Sequence, residues 1–186
     1  MILSGARRGV VVTAHPDDET LWCGGLLARY GGWTVICCSI PRTDPIRAYK
    51  FFAACEVLDA KGRLLPFVES NPHEPLQNLD ALDLSGFDCV VTHNEVGEYG
   101  HRHHLTLHQH IAQRWPDKMV TIGYGTTSRP SSQTITLTPY DIQRKHAALR
   151  CYDHISPSDG KPKWQALLER YGSMFDLNIE TYDRAA

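Results

Sequence analysis

Gly9-Val10-Val11-Val12-Thr13-Ala14, running straight into His15-Pro16-Asp17-Asp18-Glu19, is the stretch whose reading decides the fold. A short, unbroken apolar run without polar alternation is the pattern of a strand covered on both faces, as in a parallel sheet flanked by helices. The polar residues after it then lie at the carboxyl end of that strand, where open α/β sheets bind ligands. Working outward, residues 19–30 read as a helix in which Gly24 and Gly25 permit close approach to the sheet, and Gly31-Gly32 stop it. Residues 33–40 (W-T-V-I-C-C-S-I) form the second strand. Thr43 or Asp44 caps the next helix, Pro45 suits its first turn and Gly62 ends it. Ala48, Phe51, Phe52, Cys55 and Leu58 give that helix one buried stripe.

Further along, residues 63–68 read as a short strand, 71–75 as a loop, 76–84 as a short helix and 88–92 (D-C-V-V-T) as another buried strand. Residues 101–115 are helical, 119–125 a strand, 126–132 a polar loop and 133–138 (Q-T-I-T-L-T) an alternating edge strand. Helices over 140–153 and 163–175 follow, the last with Trp164, Leu167, Leu168, Tyr171 and Phe175 on its core side. Alternating strands and helices predict an α/β protein, a Rossmann-like three-layer α/β/α arrangement with a mostly parallel sheet, in one domain over residues 1–186.

The chain has 186 residues, enough to bury a core without disulfides or a metal staple. With 19 Lys plus Arg against 21 Asp plus Glu, it has no basic field or aromatic-interleaved stripe for nucleic acid. No apolar run approaches the ~20 residues that span a bilayer, and residues 1–9 lack a signal-peptide core. Six cysteines in apolar settings without a C-x-x-C pair read as buried reduced thiols, and the expected compartment is the cytoplasm. A doubly wound sheet invites a nucleotide, but His15 stands where a phosphate-binding glycine belongs, and there is no G-x-G-x-x-G or Walker lysine.

Histidine is the outlier in the composition. Of ten, five lie between residues 101 and 110: His101, His103, His104, His108 and His110. At 100° per residue His101, His104, His108, Ile111 and Trp115 share the inward stripe of that helix, while His103 and His110 read as solvated surface. His108 reads as a core or supporting histidine. If the sheet is parallel, this cluster and the residues after the first strand lie on one sheet edge. Two histidines and a carboxylate with open positions are the ligand set of many hydrolytic zinc sites, and a further carboxylate such as Asp17 can act as base toward water. Paired aspartates at a helix start also serve simply as a cap.

A-H-P-D-D-E after an N-terminal hydrophobic strand, with G-E-Y-G-H-x-x-H later, resembles the PIG-L (LmbE-like) family of metal-dependent N-deacetylases. The Arg47-bearing segment D-P-I-R-A-Y-K and the K-x-A-A-L-x-x-Y stretch from Lys145 to Tyr152 are similar too, so the resemblance runs from about Gly9 to Tyr152. It implies zinc, with iron(II) as an alternative, held by His15, Asp18 and His104. It implies Asp17 as general base, and His101 as oxyanion stabiliser or acid toward the leaving amine. Arg47 becomes a substrate-binding candidate, and the expected substrate is a small N-acetylated amino sugar or its conjugate. The alternatives are another metal-dependent amidase or esterase on this scaffold, or a non-catalytic sugar- or metal-binding relative. Two departures stand out. The family's second motif is usually H-P-D-H, whereas this chain has His101-Arg102-His103-His104, and E-S-N-P-H-E-P replaces a frequent Asp-Gly, with Glu69, His73 or Glu74 as possible substitutes.

Overall fold

The computed structural model describes residues 2–69, 73, 75–124, 133–171 and 179–184. A short helix α1 (Ile2–Gly5) precedes β1 (Gly9–Thr13), α2 (Asp18–Tyr30), β2 (Thr34–Cys37), β3 (Ile40–Pro41), α3 (Arg47–Val57), β4 (Lys61–Leu64) and β5 (Val68–Glu69). Then come β6 (Cys89–Thr92), α4 (Gly97–Gly100), α5 (Arg102–Arg114), β7 (Met119–Ile122), β8 (Gln133–Thr136), α6 (Pro139–Arg150), α7 (Lys163–Tyr171) and β9 (Ile179–Arg184). Seven strands make the main sheet in the order β4-β2-β1-β6-β7-β9-β8, and β3 and β5 pair separately. The first five strands of that order are parallel neighbours, and β9 is antiparallel to both β7 and β8.

Alternate residues of the central strands feed two cores, which is why the β1 sequence is apolar throughout. Val11, Val35 and Val91 face α2, α3 and α6, in one cluster with Leu26, Phe51 and Leu149. Val10, Val12, Ile36 and Val90 face α5 on the other side, with Leu107 and Ile111. Each fully buried aliphatic side chain contributes about 1.5–3 kcal/mol. The three-layer α/β/α architecture expected from the alternation is therefore present, with Gln133–Thr136 at the sheet edge as its alternation suggests.

Several local expectations are corrected. α3 starts at Arg47, because Asp44 is engaged by His154 (Nε2 to Oδ1 2.9 Å) instead of capping the helix. Gly62 lies inside β4 rather than ending a helix, and Phe52 is 47% exposed while Ala54 takes its place in the buried stripe. Residues 76–84 contain only a single 3₁₀ turn, Leu79–Ala81. In α7 Ala166 and Leu167 are buried, whereas Trp164, Leu168 and Tyr171 are half-buried; Phe175, Glu74 and the 126–132 loop lie outside the described residues. β9 gives little sequence signal: Ile-Glu-Thr-Tyr-Asp-Arg carries two buried acidic residues, Glu180 and Asp183. Glu180 is accommodated because its carboxylate accepts from Lys145 Nζ (2.7 Å) and from the Gly25 and Leu26 amides (2.7 and 2.8 Å). Gly25 matters here, since a Cβ would lie 2.3 Å from Leu137 and 2.9 Å from Glu180. Gly24 thus admits Lys145 of α6, while Gly25 lets α2 approach Leu137 and, as expected, the sheet through Glu180 of β9.

Candidate metal centre and its cleft

β1 and β6 lie side by side, with Val12 opposite Thr92. From β1 the chain builds outward through β2 and β4, while β6 and β7 extend the other side. This is the switch point at which α/β sheets open a crevice beyond their carboxyl ends. The two polar clusters, distant in sequence, meet there.

From β1 comes a strained turn. Asp17 has φ 109°, a left-handed value rarely tolerated without glycine. It precedes α2, but its side chain makes no capping hydrogen bond, so the cap reading does not account for it. The turn is held from behind by buried Glu19, which accepts from the Asp17 amide (2.9 Å), Thr20 Oγ1 (2.7 Å) and the Tyr152 hydroxyl (2.7 Å). Burial pushes the Glu19 carboxyl up to about 7. Arg47 reaches the cleft from α3, but its guanidinium is committed to the Asp17 carboxylate and to the Pro16 carbonyl (Nε to O 3.1 Å). Burial nevertheless raises the Asp17 carboxyl above its ordinary range, outweighing the Arg47 charge.

From β6 comes a second strained turn, centred on Glu98 at φ 56°. Glu98 Oε2 accepts from His104 Nδ1 (2.5 Å) and His93 Nδ1 (2.9 Å), while Oε1 accepts from the Asn94 amide (3.1 Å). Asn94 Oδ1 in turn accepts from the amides of Val96 and Glu98 (3.0 and 3.1 Å). Although burial opposes it, the His93 and His104 imidazoles hold Glu98 down to about 2. His93 Nε2 accepts from the Ala14 amide (3.0 Å), tying the end of β1 to this turn. Neither His93 nor Glu98 stands out in the sequence reading as a functional residue. The one signal is the Glu inside the quoted G-E-Y-G-H motif.

His15, Asp18 and His104 are buried and converge. Asp18 Oδ2 lies 3.2 Å from His15 Nδ1 and 3.4 Å from His104 Nε2. With His104 Nδ1–H given to Glu98, its Nε2 presents a lone pair, buried and without a hydrogen-bond partner. An imidazole lone pair facing a carboxylate oxygen repels unless a cation lies between them. Ligand atoms about 2.0–2.1 Å from a tetrahedral ion are roughly 3.3 Å apart, close to both separations. The donor set therefore fits a divalent cation, with Glu98 orienting one ligand imidazole from outside.

His101 stands beside this set, its ring centroid 4.7 Å from those of His15 and His104. Its Nδ1 accepts from the His103 amide at the start of α5 (3.2 Å), which assigns its proton to Nε2. Burial and the neighbouring imidazoles push His101 down to about 3, leaving it neutral. His103 corrects the sequence reading. It is 1% exposed, and its Nδ1 lies 2.9 Å from His15 Nε2. Stripe counting fails there because α5 begins at Arg102, and first-turn side chains lean back past the helix end toward the strand termini. His108 Nδ1 meets the His93 carbonyl at 3.0 Å, and His110 is half-buried beside Trp115 rather than free on the surface. His73 is exposed, and the Glu69 side chain lies outside the described residues.

The cleft over this set, about 560 Å³, is roofed by α7 through Lys163, Leu167, Arg170 and Tyr171, with Tyr99 at its side. No family model matches the sequence. A 1D-myo-inositol 2-acetamido-2-deoxy-alpha-D-glucopyranoside deacetylase from Actinosynnema mirum is 26% identical over 155 residues, 59% of this chain and 55% of that protein. This chain thus spans little more than half the length of that curated relative. Among solved structures, a deacetylase of the teicoplanin biosynthesis pathway superposes with a TM-score of 0.62 at 15% identity, covering 95% of this chain and 97% of that one. The chain shares its fold with that deacetylase structure. The fold is also shared by a 4-carboxy-2-hydroxymuconate hydratase, GalB, with a TM-score of 0.60 at 15% identity over 95% of both chains, so the reaction must be argued from the site.

Proposed function

We propose that this protein is a metal-dependent hydrolase that removes the acetyl group from an N-acetylglucosamine-type amino sugar or its conjugate. The observation that carries the proposal is Asp18 Oδ2 set 3.2 and 3.4 Å from two imidazole nitrogens, with the carboxylate of Asp17 next to it. The deacetylase relative named for an acetamido-glucopyranoside supports the substrate class. His15, Asp18 and His104 are the proposed ligands, zinc the proposed metal and iron(II) the alternative. When bound, such an ion lowers the pKa of water to about 7 and polarises a carbonyl.

The chain's own groups supply the rest. Asp17, held by Arg47 and raised by burial, takes a proton from the attacking water and returns it to the leaving nitrogen. Neutral His101 donates its Nε2–H to the oxyanion as it develops, rather than acting as an imidazolium acid. Arg47 orients Asp17 and lines the substrate cleft. His103 and Glu98 orient the ligands His15 and His104. Residues 1–186 are read as one domain and the compartment as the cytoplasm; among the described residues no helix is long and apolar enough to cross a membrane.

Stripping divalent ions with a chelator, reloading with zinc or iron(II), and following acetate release from N-acetylglucosamine glycosides tests this reading. Metal-dependent acetate release supports it. Full metal occupancy with ester cleavage but no acetate from any acetamido sugar would replace it with another hydrolase.

A further inference from the structure

His15 belongs to two groups of ligand atoms, and the candidate metal centre uses only one of them. Its Nδ1 lies 3.2 Å from Asp18 Oδ2, in the group shared with His104. Its Nε2 leaves the ring on the other side, 2.9 Å from His103 Nδ1. His101 completes that second group: one nitrogen from each of His15, His101 and His103 lies within 4.8 Å of the others. The His101 ring stands edge-on to both, its centroid 4.7 Å from that of His15 and 5.2 Å from that of His103.

Hydrogen bonding explains a neighbouring group but not this one. In His93, Glu98 and His104 the carboxylate accepts from both imidazoles, which matches its charge and uses their donors. His15, His101 and His103 bring three imidazoles together without a carboxylate among them. His101 takes the His103 amide on Nδ1, which leaves Nε2 as its second nitrogen. Imidazole donors suit zinc and copper(II) rather than magnesium or calcium. His15 and His101 also line the 560 Å³ cleft, so an ion can reach them from solvent and keep a water as its fourth ligand. To hold it, the 2.9 Å separation of His15 Nε2 and His103 Nδ1 has to widen only to roughly 3.3 Å. The residue that completes the group, His103, is the one that departs from the H-P-D-H pattern.

We propose that His15, His101 and His103 form a second divalent-cation site, for zinc or copper(II), and that the His15 ring bridges it to the first. The second ion adds to the one on His15, Asp18 and His104 and fills after it. Its binding takes the proton from His15 Nε2 and releases it to solvent, because both ring nitrogens then carry metal bonds. The His15–His103 hydrogen bond gives way to two coordination bonds. The proposal rests on His15, Asp18 and His104 as the first ligand set, not on the deacetylase reaction.

Copper(II) added stepwise to the metal-free protein tests it, with electron paramagnetic resonance for the spin and elemental analysis after dialysis for the stoichiometry. The first equivalent is expected to give the full signal of an isolated ion. The second is expected to bring bound copper to two per chain and to remove most of the signal, because two copper(II) ions on one imidazolate couple antiferromagnetically. In His103→Asn, whose side-chain oxygen still accepts from His15 Nε2 but is a poor ligand, the first ion is expected to stay and the second to be lost. A second ion whose signal simply adds to the first lies elsewhere and overturns the proposal. Saturation at one copper per chain, or undiminished coupling in His103→Asn, overturns it too while leaving the first centre standing. A parent protein that binds no ion at all strikes both sites. The loss of signal in the parent is read without any variant, so a His103→Asn protein that fails to fold leaves the test intact.

Discussion

Glu98 Oε2 lies 2.5 Å from His104 Nδ1, and this contact fixes which nitrogen of His104 faces Asp18. The same oxygen holds His93, whose other nitrogen receives the Ala14 amide. One buried carboxylate thus couples the two strand ends that build the centre. Glu98→Gln puts an amide where both imidazoles need an acceptor. Metal affinity, read by competition with a chromophoric chelator, is expected to fall by about 10–100-fold.

Asp17→Asn keeps the shape of the turn and removes the base. Acetate release is expected to drop by about 10²–10⁴-fold, while metal content by elemental analysis stays at the parent value. Metal lost together with activity would show instead that Asp17 belongs to the ligand set.

His101 is held neutral, down to about 3, so it contributes no titration between pH 5 and 8. His101→Ala is expected to lower kcat by about 10²–10³-fold without removing a limb from the pH–rate profile in that window. Disappearance of an alkaline limb in the variant would mark His101 as an imidazolium acid instead.

Much of this was legible in the sequence because it rests on continuous patterns. The apolar run of β1 announces a two-faced strand, and the polar residues after it announce a strand-end site, so His15, Asp17, Asp18, His101 and His104 are found in one place. What escaped reading depends on contacts between distant segments. His103 looks exposed by helical phase and is buried because it sits in the first turn of α5 against His15. His93 follows the 88–92 strand without any signal of its own and is a strut between β1 and Glu98. β9 hides because Glu180 is made tolerable by Lys145, two amides of α2 and the Tyr182 hydroxyl.

The packing at Gly25 gives a stability test. Gly25→Ala drives a methyl group against Leu137 and the Glu180 carboxylate. The expected loss is about 1–3 kcal/mol, read as a lower denaturant midpoint with an unchanged slope. An unshifted midpoint would show that Leu137 and β9 yield without cost.

Asp141 ties α6 to α2. It completes the capping box with Thr138 and accepts from Arg29 Nε (3.0 Å). Its carboxyl is held below the ordinary range: burial opposes the charge, but the Thr138 and Arg29 hydrogen bonds outweigh it. A group depressed in the folded state adds stability above its unfolded pKa and loses it as the pH falls through the folded value. Asp141→Ala is expected to cost about 1 kcal/mol at neutral pH, roughly 2–4 °C in Tm, and the gap should close as the solution is acidified below the carboxylate range. A gap constant with pH would show that the charge of Asp141 plays no part.

The central claim is a divalent ion held by His15, Asp18 and His104, and a metal-soaked crystal structure tests it most directly. The account predicts one ion bound by His15, Asp18 and His104 at about 2.0–2.2 Å, with Glu98 still on His104 Nδ1 and Asp17 beside the ion without ligating it. An ion held instead by His15, His101 and His103, or a centre that stays empty in excess zinc and in iron(II), would contradict it.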